Sequence, residues 1–146
     1  MLETVLVKMT DAPSGRPIFL FPGASGDAQE VAAVAAHLEG PRPIFGVEPF
    51  ARDAEGLRPA TIEAMAAQAV AAIRARQAEG PYDLIGYSCG GLVALEVARL
   101  LGEAGHEVGL LGFIDVIYER RYWPSALFMK SQIKLTATHR DRKSVV

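Results

Sequence analysis

With 146 residues, half of them hydrophobic and 22% charged, the chain has the length of one domain and enough apolar material for a sizeable core, which argues against intrinsic disorder. A formal net charge of -2 gives no electrostatic footprint for a nucleic-acid partner, and no apolar run approaches the roughly 20 residues needed to span a bilayer. Cys89 is the single cysteine, which rules out an intrachain disulfide and a cysteine-based zinc site.

No basic and apolar leader follows Met1, so the expectation is a cytoplasmic protein without a membrane partner. Residues 4–8 (TVLVK) read as a short strand, and residues 11–16 (DAPSGR) as a turn. Residues 17–21 (PIFLF) form a continuous apolar run that stops at Pro22-Gly23, the pattern of a strand buried on both faces. Residues 27–38 predict a helix, with Val31, Val34, Ala35 and Leu38 at helical spacing. Residues 43–48 (PIFGVE) are a further short strand, followed by a loop up to Pro59. Thr61 is placed to cap a helix whose Ile62, Met65, Ala66, Ala69, Val70 and Ile73 share one face, closing before Gly80-Pro81.

Residues 82–86 (YDLIG) predict a strand, residues 90–103 a helix and residues 108–115 (VGLLGFID) another strand. Strands alternating with helices imply crossover connections and a largely parallel sheet. The alternation stops after Asp115. Residues 116–146 bring aromatics, an apolar helical stretch and a basic cluster (His139, Arg140, Arg142, Lys143) that reads as a solvated tail.

The sharpest motif is Gly86-Tyr87-Ser88-Cys89-Gly90-Gly91. It holds G-x-S-x-G between a strand and a helix, the setting in which a tight turn lifts a serine hydroxyl above the sheet edge. Small residues at positions 86 and 90 leave room for that turn, and the helix dipole points its positive end at the serine. The backbone N–H of Cys89 then becomes a donor for a developing oxyanion. Cys89 is itself a possible nucleophile, although its position is one where the main chain does the work. The loop Phe21-Pro22-Gly23-Ala24-Ser25-Gly26 lies after an earlier strand, where a second oxyanion donor is needed, and Ala24 N–H is the candidate. A competing reading takes Gly23 and Gly26 as a phosphate cradle with Glu48 as a ribose ligand; it lacks the G-x-G-x-x-G spacing. Asp115 ends the strand after the serine helix, the place for an acid that orients a histidine, unless it is an ordinary strand-end turn residue.

At this point the sequence resembles the thioesterase domains that end or accompany nonribosomal peptide synthetases and polyketide synthases. PIFLFPGASG, ATIEAMAAQAVAAIRARQ, GPYDLIGYSCGGLVALEVARLL and GHEVGLLGFID carry the likeness over about residues 15–117. The resemblance implies an α/β-hydrolase fold with its last strands and histidine missing from this sequence. It implies a serine acyl-enzyme acting on acyl chains carried by the phosphopantetheine arm of an acyl or peptidyl carrier protein, with no cofactor or metal of its own. It assigns Ser88 as nucleophile, Asp115 as triad acid, and the Ala24 and Cys89 amides as oxyanion hole. Residues 1–115 would be the hydrolase core and residues 116–146 the start of a helical lid. Tyr118, Tyr122, Trp123 and Phe128 would line the acyl channel or pack the lid on the core. The family's histidine falls after two further strands, so the expectation is a truncated chain. Among the histidines present, His139 is the nearest candidate base, ahead of His37 and His106. An interrupted sheet would leave an edge and apolar helix faces open, which predicts self-association. A non-catalytic carrier-binding relative and an oxygen-ester hydrolase of the same fold are the alternatives.

Overall fold

The computed structural model describes residues 4–38, 40–48 and 61–116. The chain divides into two units, Met1–Val116 and Ile117–Val146. The second lies outside the described residues, and with it Tyr118, Tyr122, Trp123, Phe128, His139 and nearly all of the expected lid.

The first unit is an α/β layer structure. Its elements in chain order are β1 (Val5–Lys8), β2 (Ile18–Phe21), a 3-10 turn (Ala28–Val31), α1 (Ala32–His37), β3 (Ile44–Glu48), α2 (Ile62–Arg76), β4 (Tyr82–Tyr87), α3 (Gly90–Glu103) and β5 (Val108–Ile114). The sheet order is β1-β3-β2-β4-β5. All neighbours pair parallel except β1, which runs antiparallel to β3. This is the mostly parallel sheet with flanking helices that the alternating pattern predicts, and an α/β-hydrolase type of fold.

Strand side chains alternate between faces, and the apolar runs of β2, β3 and β4 therefore feed two cores. Phe19, Phe21, Phe45, Val47, Tyr82 and Leu84 pack with Ala66, Ala69 and Ile73 of α2 and Val93, Ala94 and Leu101 of α3. Ile18, Leu20, Ile44 and Ile85 face the other way, toward Val31 and Ala35. Thr61 caps α2 as expected, its Oγ1 accepting the Ala64 N–H at 3.1 Å.

The helix expected over residues 27–38 starts differently. Asp27 caps it, accepting the Gln29 N–H at 2.8 Å, and the Glu48 carboxylate accepts the Ala28 N–H at 3.0 Å. These side chains satisfy two orphan donors of the first turn, which has 3-10 geometry, and only Ala32–His37 is α-helical.

Connections from β2 lead to β3 on one side, and those from β4 lead to β5 on the other. The reversal falls between β2 and β4, which pair from Ile18↔Asp83 to Phe21↔Gly86. A crevice opens at the carboxyl ends of two such strands, and in open parallel sheets that is where ligands bind.

Candidate active site

β4 ends at Tyr87 and α3 begins at Gly90, so Ser88 and Cys89 alone make the connection. Ser88 sits at φ +50°, a left-handed conformation that costs a serine on the order of 1 kcal/mol. Two main-chain bonds hold it there. Its N–H donates to the Ile114 carbonyl of β5 at 2.9 Å, and its carbonyl accepts the Gly91 N–H at 3.0 Å. The residue is half-buried, whereas Tyr82–Gly86 before it are buried.

The turn closes this tightly because two positions have no side chain. A Cβ on Gly86 would lie 2.4 Å from the Cα of Gly91, and one on Gly90 would lie 2.1 Å from the Pro22 carbonyl oxygen. Both obstacles are backbone, which has nowhere to go. Gly90 therefore seats the N-terminus of α3 against the end of β2.

The loop after β2 supplies the facing wall. Gly26, at φ +69°, donates its N–H to the Gly23 carbonyl at 3.1 Å. Ser25 Oγ accepts the Asp27 N–H at 3.1 Å and donates to a Glu30 carboxylate oxygen at 2.5 Å. A Cβ on Gly23 would meet Glu30 Oε1 at 2.8 Å and the Ser88 Cβ at 3.3 Å. The Glu30 carboxylate and the Ser88 side chain thus flank one narrow wedge above Gly23.

Ser88 and Asp115 extend the register pair Tyr87↔Ile114, placing both at the carboxyl ends of neighbouring parallel strands. Asp115 is exposed and has φ +51°, so it too is turned out of the line of its strand. Ala24 is exposed in the β2 loop, and Cys89 is the exposed N-terminal flank of α3 with no side-chain cap bond. Partial desolvation, followed by the nearby Glu30 charge, pushes the Cys89 thiol above its ordinary pKa of 9.0, against the lowering effect of its own backbone hydrogen bond. That keeps it a thiol at neutral pH, the wrong state for a nucleophilic sulfur.

The remaining sequence candidates lie elsewhere. Glu48, considered as a ribose ligand, is occupied with the Ala28 N–H, and the dinucleotide reading loses its acid. His37 Nδ1 lies 2.7 Å from the Ala33 carbonyl on its own helix. His106 precedes β5, at the opposite end of the sheet from Ser88, edge-on to the Tyr82 ring at 5.8 Å. Glu30 was not legible as a site residue. Its only signal in the sequence is an acid in the first helical turn behind a Gly-rich loop, a place where acids serve ordinary helix electrostatics. Among the described residues no helix is long and apolar enough to cross a membrane, and no group of three His, Cys, Asp or Glu residues suits a metal ion.

The Thioesterase domain family matches residues 16–137. The polyketide synthase PksR of Bacillus subtilis (strain 168) is 35% identical over 133 residues, covering 90% of this chain and 5% of the synthase. Among solved structures, the NocB thioesterase domain of the nocardicin cluster superimposes with a TM-score of 0.66 at 29% identity, covering 76% of this chain and 50% of that one. The same domain in covalent complex with a fluorophosphonate nocardicin G analog gives 0.65 at 29% identity, covering 76% and 48%. The chain thus spans a small part of its curated relative and about half of the solved domain. A strand-turn-helix serine beside a Gly-rich loop and a family match over residues 16–137 agree: the chain belongs to the Thioesterase domain family, of the kind associated with polyketide synthases and nonribosomal peptide synthetases.

Proposed function

We propose that the chain acts as a serine thioesterase, releasing acyl or peptidyl chains held as thioesters on the phosphopantetheine arm of a carrier protein. Ser88 Oγ attacks the thioester carbonyl carbon and forms the Oγ–C bond. The C–S bond then breaks, and the arm leaves as its thiol with the proton that Ser88 gave up. The acyl chain rests on Ser88 as an ester until water, or a nucleophile within the chain, releases it. The Ala24 and Cys89 amides receive the charge on the carbonyl oxygen, where one oriented donor is typically worth about 10²–10³ in rate. Asp115 orients the histidine that moves the proton; His139 is the candidate in this sequence and lies outside the described residues.

The observation that supports this reading most is the strained placement of Ser88. A non-glycine residue at φ +50° between a strand and a helix, pinned by Ile114 and flanked by Gly86 and Gly90, where any Cβ would strike backbone, holds a costly conformation. A tight strand-to-helix turn of this kind is the arrangement that lifts a serine hydroxyl above a sheet edge, which supports the nucleophile reading.

The test is turnover of an acylated carrier protein beside a matched oxygen ester. The proposal expects thioester cleavage that is lost in Ser88→Ala. Preferential cleavage of the oxygen ester would reassign the chain as an esterase. Binding of the acylated carrier with neither turnover nor acyl-Ser88 would make it a non-catalytic relative.

A further inference from the structure

The wedge above Gly23 carries a charge that acyl transfer does not call for. Glu30 Oε1 and the Ser88 Cβ lie 2.8 and 3.3 Å from one shared point, so they are separated by at most the sum of those distances. The carboxylate is held by the Ser25 hydroxyl through its other oxygen, Oε2, at 2.5 Å. It is exposed rather than withdrawn into the core. Its field reaches across the turn to the Cys89 thiol.

A negative charge here opposes an oxyanion forming near Ser88, and at these distances the effect is not screened as it is between groups a Debye length apart. A positive partner beside the carboxylate would offset that opposition. A substrate can bring one. In an α-aminoacyl thioester the ammonium is borne by the carbon next to the carbonyl, so binding the carbonyl over Ser88 carries the ammonium to within a few ångström of it, the range in which Glu30 stands.

We propose that Glu30 is a specificity residue, and that the chain favours acyl groups with a free ammonium on the α-carbon over neutral acyl groups of the same size. The inference rests on Ser88 being the nucleophile. Ser25 acts as the positioning residue for the carboxylate, and Gly23 keeps the wedge open. The ammonium donates to the carboxylate in the ground state and remains paired as the carbonyl oxygen becomes negative, so the charge that hinders neutral substrates aids this class. An ion pair that is partly exposed gives a selectivity of roughly tenfold rather than thousands.

The experiment compares two diphenyl phosphonates, one with an α-amino group and one with a methyl in its place. Both react when Ser88 Oγ displaces phenoxide from phosphorus, and the rate of each is read by intact mass on the full chain. We expect the amino probe to label the native protein about tenfold faster. In Glu30→Gln, which keeps the shape and the Ser25 contact, that ratio falls to about one, and the neutral probe reacts as fast as before or faster. Equal rates in the native protein, or a preference that survives Glu30→Gln, overturn the inference while leaving Ser88 as nucleophile. If neither probe labels Ser88, the nucleophile reading fails and this inference falls with it.

Discussion

The two ends of the sheet treat aspartate in opposite ways. At the amino ends of the strands, Asp83 is 1% exposed, and both Arg16 and Arg42 bond its Oδ2. Nearby, Tyr82 is fully buried with its hydroxyl bonded to the Gln77 carbonyl at 2.9 Å. At the carboxyl ends, Asp115 is exposed at a positive φ beside a serine that is strained in the same way. One end holds its charge by pairing and burial. The other leaves its charged and hydroxyl groups at the surface and bears backbone strain to keep them there. A buried, paired aspartate and an exposed one thus stand on adjacent strands, in β4 and just after β5, told apart by environment alone.

Substitutions at each end sharpen that contrast. Gly90→Ala is expected to have the largest effect, because its new Cβ would strike the Pro22 carbonyl at 2.1 Å and the Phe21 carbonyl at 2.6 Å. Backbone must shift, at a cost of about 3 kcal/mol or more, read as a fall in denaturation midpoint with loss of Ser88 reactivity. Asp83→Ala comes next. It leaves two arginines without their shared partner, but 46% and 31% side-chain exposure lets water solvate them. A loss of about 2–3 kcal/mol follows, with the reactivity of Ser88 per folded molecule unchanged.

Ser88→Gly should act in the reverse sense. It removes the strain at φ +50° and the hydroxyl together, so stability rises by about 0.5–1 kcal/mol while serine labelling disappears. Ser88→Ala, which keeps the strain, should abolish labelling without that gain. The smallest effect concerns the pH dependence of Cys89. Desolvation and then the Glu30 charge raise its thiol pKa above 9.0, so less thiolate is present at any given pH than for an ordinary cysteine. Alkylation by iodoacetamide at pH 8 is expected to be slower than for a free thiol and to speed up a few-fold in Glu30→Gln.

Much of this was readable from residue order. The apolar runs 17–21 and 82–86 announced doubly buried strands, and Thr61 announced the start of α2, because burial and capping leave local signatures. The turn at Ser88 was readable from its glycines, although the groups that demand them are Gly91, next along the helix from Gly90, and the Pro22 carbonyl after β2, a contact no local pattern shows. What stayed hidden depended on contacts far apart in the chain. Glu48 takes the Ala28 N–H at the start of a helical turn 20 residues earlier. Asp83 is joined to Arg42 across 41 residues. Glu30 reaches the nucleophile turn only because α3 docks on the end of β2. No periodicity in the sequence encodes such meetings.

The proposed reaction requires that one hydroxyl, at position 88, be singled out for nucleophilic attack. Treating the full chain with a fluorophosphonate and mapping the adduct by peptide mass spectrometry tests it most directly. A single adduct is expected on the peptide carrying Ser88, absent from the Ser88→Ala protein. An adduct on Ser25 or Cys89 instead, or labelling that persists in Ser88→Ala, would contradict it.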